Sequence, residues 1–293
     1  MITNLKSSSR IIVLGIDGLD YNLVKKWRLK NLMQKSYCKM DLSDYRVKVT
    51  PPIWGSMLTG KIDEEIMDVW VRAAQFVDLK SDVEQKWWAK MVTEMLPYIP
   101  AIIKNKIIFR LLENMGENPF EVTSNYIKEK KLTNIFQFFN NPWTNGIPSY
   151  GRLDNTPKRR KFFERATSGE KTPLKEYELK HYKKDKSELF SALKKDHYDL
   201  IFWYTPFIDS LGHMYIGKPL SLMNYYFEIN SMVGEVIKNH NNSLIYVVSD
   251  HGMEKVERGW GMHSDYAFFS SNTGETITKP TQFFNLILKH SNV

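Results

Sequence analysis

Three apolar runs in this chain end in aspartate: IIVLGID at Asp17, IFWYTPFID at Asp209 and LIYVVSD at Asp250. Histidines accompany two of them. In DSLGH, Asp209 and His213 lie four apart, so one helical turn sets both on the same face. In SDHGM, His251 follows Asp250 directly, and Gly252 frees the backbone to turn away; a third histidine, His263, stands in GMHSDY. A single aspartate in such a place reads as a turn or cap residue, and a single histidine as a satisfied core or surface group. Together, carboxylates and imidazoles make the mixed oxygen and nitrogen ligand set that divalent metals take, zinc in particular. His181, His197, His240 and His290 have no such neighbours and read as structural. One hydroxyl also stands out. VTPPIWGSMLTGK, residues 49–61, places Thr50 directly before two prolines. A helix start accepts serine, aspartate or asparagine equally well, so Thr50 is either an ordinary cap or an oxygen that reacts.

These side chains need a frame that brings them together. RIIVLGID (10–17), HYDLIFWYT (197–205) and SLIYVVSD (243–250) are compact apolar runs and predict buried strands, as does KLTNIFQFFN (131–140). DYAFFSSN (265–272) predicts a late strand. DYNLVKKWRLKNLMQKS, PLSLMNYYFEINSMVGEVIKNH and PTQFFNLILKH carry apolar residues at helical spacing. Strand, helix and strand with nearly continuous apolar strands predict a parallel sheet covered on both faces. In such sheets the carboxyl ends of the strands line the crevice where ligands bind, which is where all three aspartates fall. Residues 62–130 are rich in tryptophan, methionine and lysine with helical periodicity, and predict a helical excursion that forms a cap.

Composition bounds the rest. The 293 residues suffice for one large domain with an insertion or for two modest ones. Cys38 is the only cysteine, so neither an internal disulfide nor a cysteine-rich metal cluster is possible, which fits a reducing compartment. MITNLKSSSR leads into a strand rather than a signal peptide, and no run approaches the roughly 20 apolar residues of a membrane span. The expectation is a soluble cytoplasmic protein with no membrane partner. The formal charge of +8 suits an anionic partner, and much of it lies in residues 156–186. That stretch reads as a solvated, mobile insertion, or as a basic wall for phosphate esters or nucleic acid; no nucleic-acid module signature accompanies it.

IDG near the N-terminus, T-P-P-x-W-x-S-x-x-T-G, D-S-x-G-H and S-D-H-G-M, in this order, resemble the alkaline phosphatase superfamily, and its type I phosphodiesterase / nucleotide pyrophosphatase branch in particular. The likeness covers roughly residues 10–60 and 195–270. NNPWTNGIPSYGRLDNTP (140–157) is more loosely similar to a family segment in which a strand and a proline-rich loop precede a Ser/Gly turn. The resemblance implies a three-layer α/β/α sandwich with a mostly parallel central sheet: a single catalytic domain over 1–293. Residues 62–196 would hold a cap-like insertion, helical over 62–130 and basic over 156–186. It implies two divalent metal ions, zinc or alternatively manganese. Asp209, His213 and His263 would hold one, and Asp17, Asp250, His251 and the Thr50 hydroxyl the other.

By the same resemblance Thr50 is the nucleophile, and the prolines after it start a helix whose N-terminus faces the phosphate. The implied activity is metal-dependent hydrolysis of phosphodiesters or nucleotide pyrophosphate bonds through a phosphothreonine, on a small phosphorylated substrate such as a nucleotide. A phosphomonoesterase or phosphonate hydrolase of the same superfamily is the alternative, and a non-catalytic basic protein binding nucleic acid or an anionic surface is the alternative of another class. Threonine at the nucleophile position argues against a sulfatase. The chain departs from the family pattern in two respects: residues 61–75 contain no asparagine to hold a phosphate oxygen, and no histidine-glycine element follows the Thr-Gly pair. Arg72 and Asn145 are the candidate substitutes, with Trp54 and Trp70 as candidate stacking surfaces; a core role for the tryptophans and a surface role for the other two are the competing readings. Oligomeric state is not legible.

Overall fold

The computed structural model describes residues 10–83, 119–152, 156–255 and 261–291. Its centre is a six-stranded sheet built around β1 (Ile11–Ile16), which is buried along its whole length. Parallel neighbours flank it, β4 (Leu200–Thr205) on one side and β5 (Leu244–Val248) on the other. Beyond β4 lies β3 (Pro142–Thr144), also parallel. Beyond β5 lies β8 (Tyr266–Ser271), antiparallel, and then β2 (Ser36–Asp41) at the edge. A separate hairpin pairs β6 (Met253–Lys255) with β7 (Gly261–His263).

The period of two along each central strand divides the core. Ile11, Val13, Phe202, Tyr204, Tyr246 and Val248 face one layer, together with α3 (Thr50–Thr59), the start of α4 (Glu64–Val83) and α11 (Gln282–Leu288). Ile12, Leu14, Ile201, Trp203, Ile245 and Val247 face the other. There they meet α1 (Tyr21–Lys26), α2 (Lys30–Met33), α7 (Pro157–Thr167), α8 (Thr172–Leu193), α9 (Phe207–Tyr215) and α10 (Pro219–Asn239). Two apolar faces on one sheet explain why these strands read as unbroken hydrophobic runs. The result is the expected three-layer α/β/α fold of the alkaline phosphatase type. Two short helices, α5 (Pro119–Thr123) and α6 (Tyr126–Glu129), belong to the 62–130 excursion, of which residues 84–118 lie outside the described residues. Among the described residues no helix is long and apolar enough to cross a membrane.

Several local expectations are corrected. Residues 131–140 do not form a strand: Asn134 caps a short 3-10 helix, Ile135–Phe138, with Gln137 closing the box. Its apolar residues are buried from a helical turn, and the edge strand β3 comes later, opening on a proline, which an edge position tolerates. The single helix expected from residue 20 is two, because Arg28 adopts a left-handed conformation (φ 52°) that ends α1. Ser36, where the expected helix ended, instead opens β2, whose residues 36–41 pair with β8. The basic stretch 156–186 is not a mobile insertion: it lies in α7 and α8, whose Leu174, Tyr182 and Leu189 are buried in the second core layer.

Candidate metal centre

Parallel strands in register deliver their carboxyl ends to one place. Ile16 pairs with Thr205 and Gly15 with Val248, so the segments leaving β1, β4 and β5 emerge side by side. The first carries Asp17, whose N–H donates to the Thr205 carbonyl at 3.0 Å. The second enters α9, with Asp209 in its first turn, where the helix dipole favours a carboxylate, and His213 one turn on. The third carries Asp250 and His251, both fully buried. Gly18, at φ 69°, permits the approach of α9: a β-carbon there would lie 2.6 Å from the Asp209 Cα. His263 ends β7, and its Nδ1 meets the Lys48 carbonyl at 2.7 Å, just ahead of Thr50.

The six residues gather into two abutting triads, Asp209–His213–His263 and Asp17–Asp250–His251. In each, one ligand atom per residue lies within 4.8 Å of the others. His213 Nε2 is 3.2 Å and His263 Nε2 3.6 Å from Asp209 Oδ1. His251 Nε2 is 3.3 Å from both Asp17 Oδ1 and Asp250 Oδ2, and 3.9 Å from Asp209 Oδ1. Each imidazole has its Nδ1 against a backbone carbonyl: Gly261 for His213, Lys48 for His263 and Gly252 for His251. An Nδ1–H donated to a carbonyl leaves Nε2 with its lone pair turned inward, the arrangement that orients metal-ligating histidines. Tyr204, on β4, donates its hydroxyl to Asp17 Oδ2 at 2.5 Å and fixes that carboxylate in the same way.

Charge bookkeeping tests whether the residues fit a cation. Asp17 Oδ1, Asp209 Oδ1 and both Asp250 oxygens are buried without a hydrogen-bond partner. Buried polar atoms are rarely left so, because each costs about 1–3 kcal/mol. Burial, then Asp250 and Asp209 nearby, pushes the Asp17 carboxyl well above the carboxylate range; burial likewise pushes Asp250 up to about 7. Burial acts the same way on Asp209, but His213 and the other two imidazoles outweigh it and hold its carboxyl low. Burial lowers the His251 and His263 rings and favours their neutral forms; burial also opposes charge on His213, but the adjacent Asp209 outweighs it and raises that ring. Three crowded carboxylates and two neutral imidazoles are a poor protein core and a good ligand set. Divalent cations held here would remove the repulsion and supply partners for the orphaned oxygens.

Thr50 stands at the rim of this cluster. Val49 is the N-cap residue of α3 and Thr50 the first helical position, so the capping reading of its hydroxyl is excluded. Its Oγ1 lies 3.5 Å from His251 Nε2. The helix begins at Thr50 itself rather than at the prolines, and Pro51 and Pro52 have no N–H to offer an anion.

A cavity of about 220 Å³ opens over the cluster and is bordered by Asp17, Thr50, Asp209, His213 and His263. Trp70 and Phe120, in edge contact at 4.7 Å between ring centres, contribute an apolar wall. Of the substrate contacts expected from the sequence, Trp70 borders this cavity, whereas Trp54, Asn145 and Arg72 do not. Trp54 is fully buried beneath it, edge-on to Phe202 and Tyr204, and serves the core. Asn145 exchanges hydrogen bonds of 2.9 Å with the Tyr204 backbone, extending the sheet edge past β3. Arg72 is exposed on α4. The cations that do border the cavity, Arg152 and Arg159, had no signal in the sequence beyond their place near or within a basic stretch.

A parallel-centred α/β sheet carrying carboxylates and imidazoles at its strand ends, beside a hydroxyl on a helix start, defines the class of phosphoester hydrolases. The family model of type I phosphodiesterase / nucleotide pyrophosphatase matches residues 11–271, and the chain belongs to that family of hydrolytic enzymes. Neither the curated proteins nor the solved structures contain a match to it.

Proposed function

We propose that this protein hydrolyses phosphodiester or nucleotide pyrophosphate bonds with the help of two divalent cations, through a phosphothreonine on Thr50. The observation that carries the reading is the set of partnerless buried carboxylate oxygens meeting three inward-facing Nε2 atoms beside Thr50. Asp209, His213 and His263 would hold one ion, and Asp17, Asp250 and His251 the other with the Thr50 oxygen. Mixed nitrogen and oxygen donors suit zinc, with manganese as the substitute. When bound, such ions make an alcohol acidic enough to react at neutral pH and steady the entering and leaving oxygens of an in-line displacement.

The chain's own residues do the rest. Val49 and the rigid Thr50–Pro51–Pro52 start fix the hydroxyl at the cavity floor, so little orientational freedom is lost on attack. Thr50 Oγ bonds to phosphorus as the bond to the leaving oxygen breaks; water then cleaves the phosphothreonine and restores the hydroxyl. Tyr204 and the three backbone carbonyls hold the ligands in register throughout. In this reading the chain is one catalytic domain whose cap-like insertion lies within residues 62–196, with Trp70, Phe120 and Phe163 walling the cavity.

The test is hydrolysis of bis-p-nitrophenyl phosphate by the metal-loaded protein, compared with Thr50→Ala and Thr50→Ser. Turnover that is lost in Thr50→Ala at unchanged metal content, and partly kept in Thr50→Ser, supports the covalent scheme. An active Thr50→Ala protein refutes it.

A further inference from the structure

The turn that carries Asp250 and His251 is tied to the turn that carries Asp17 by side chains outside the ligand set. Ser249 is fully buried, and its Oγ stands between the two turns. It accepts from the Leu19 N–H at 3.0 Å and donates to the His251 carbonyl at 2.7 Å. Asp20, also buried, makes the second tie. Its Oδ1 accepts from the Leu23 N–H at 2.8 Å and caps α1. Its Oδ2 accepts from the Met253 N–H at 3.2 Å and from the Tyr266 hydroxyl at 2.7 Å. Ser264 closes the far side: its Oγ accepts from the Gly252 N–H at 3.0 Å and donates to the Tyr266 carbonyl at 2.8 Å. The packing there is close. A β-carbon at Gly252 would lie 2.6 Å from Asp20 Oδ2 and 2.9 Å from Ser264 Oγ, so the tie requires glycine.

These bonds fall on the backbone immediately beside the ligands. Leu19 comes two residues after Asp17, Ser249 precedes Asp250, and Gly252 and Met253 follow His251. The Gly252 carbonyl that meets His251 Nδ1 also accepts from the Ser264 N–H at 3.1 Å. Neither Asp250 oxygen has a hydrogen-bond partner, so the backbone sets where that carboxylate stands. Capping α1 does not account for the arrangement, because a cap needs one side-chain oxygen and Asp20 uses both. The second oxygen serves the turn that follows His251.

We propose that Ser249 and Asp20 are positioning residues that preorganise the Asp17–Asp250–His251 triad, holding its two turns at ligand spacing before a cation arrives. This rests on the reading of that triad as a metal site. An ion then meets ligands already in place, and little ordering of the chain is left to oppose binding. The effect is local. Ser249 and Asp20 touch the turns of this triad, whereas Asp209, His213 and His263 stand on α9 and β7. Removing an outer partner of metal ligands lowers affinity by about 10- to 100-fold, and here that loss falls on one site of the two.

The test compares Ser249→Ala, Asp20→Asn and Tyr266→Phe with the wild-type protein. Asparagine offers one acceptor oxygen where both Asp20 oxygens are in use. Tyr266→Phe removes a single donor and keeps the ring, so it reports even if the harsher variants fail to fold. Asn134→Ala, which removes the cap of the 3-10 helix outside the site, controls for lost stability alone. Zinc titration against a competing chelator should show one site weakened about tenfold or more in Ser249→Ala and Asp20→Asn, and by less in Tyr266→Phe. The other site, and both sites of Asn134→Ala, should bind as in the wild type. Two sites weakened alike, no site weakened, or an equal loss in Asn134→Ala overturns the proposal. Hydrogen exchange in the metal-free protein gives a readout that needs no ion. The Leu19, Gly252 and Met253 amides stay protected without zinc, and Ser249→Ala exposes that of Leu19. Protection that arises only when zinc is added means that the cation orders the turns, and the proposal fails. A wild type that takes up no zinc yet keeps these amides protected would defeat the metal reading and leave the tie between the turns standing.

Discussion

Tyr204→Phe isolates one atom of the metal centre. The ring stays where it packs, 5.3 Å from Trp54 and edge-on to it, and stays beneath Arg152. Only the hydroxyl that donates to Asp17 Oδ2 disappears. In the metal-free protein the Asp17 carboxyl is pushed up by burial and by its two aspartate neighbours, which favours its protonated form. A hydrogen bond to a neutral group contributes about 0.5–1.5 kcal/mol, and the substitution lowers metal-free stability by about that amount. With cations bound, Asp17 is ionised and the same bond is charge-assisted, contributing about 1.5–3 kcal/mol. The difference, about 1–1.5 kcal/mol, is lost from metal binding. It corresponds to a drop in affinity of about tenfold, the low end for removing a partner of a metal ligand. Zinc titration against a competing chelator measures this directly, and thermal unfolding with and without metal gives the two stabilities. Unchanged affinity together with unchanged turnover would refute the assignment of Asp17 as a ligand oriented by Tyr204.

Metal removal should reverse the pH response of the fold. Asp250, raised from 3.8 to about 7, keeps its proton in the folded chain where the unfolded chain has released it. The metal-free protein therefore loses stability as pH rises from about 4 to about 7. The metal-loaded protein gains over the same window because its ligands must be ionised; parallel Tm curves for the two forms would contradict this. Glu275 works in the opposite sense. Burial opposes ionisation, but Lys289, Thr273 and His290 outweigh it and hold its carboxyl at about 2. That is below its ordinary value, so its contribution is present above about pH 4.5 and fades toward pH 2; Glu275→Gln should reduce Tm at pH 7 more than at pH 3, and an equal loss at both would sink the assignment. Trp54→Ala should cost about 3–5 kcal/mol by chemical denaturation, as for a large aromatic removed from a closed core, with its chief effect on stability; a loss below 1 kcal/mol would contradict its buried role.

The clustering of the candidate ligands was legible because each member sits next to a strong local signal. Asp17 and Asp250 end runs of β-branched residues, and the four-residue spacing of Asp209 and His213 needs only one helical turn to be correct. The sheet followed for the same reason: strands buried on both faces carry no polar interruption to confuse them. What was missed depends on partners distant along the chain. Tyr204 reads as one more core aromatic within LIFWYT until Asp17, 187 residues away, takes its hydroxyl. Arg159 lies in a run of lysines and arginines that looks solvated, and only its pairing with Glu178, two turns into the next helix, makes it an interior cation. The strand expected over 131–140 was lost to Asn134, whose side-chain cap outweighed the β propensity of Ile135 and the phenylalanines. The edge strand 36–41 carries little alternation, because its identity comes from β8 rather than from its own residues.

Metal stoichiometry tests the central claim most directly. Elemental analysis after equilibration with zinc should give two ions per wild-type chain. The count should fall toward one in Asp250→Ala and likewise in His213→Ala, since each variant removes a ligand from a different triad. A folded wild-type protein that retains no divalent ion, or variants that retain as many as the wild type, would contradict the account.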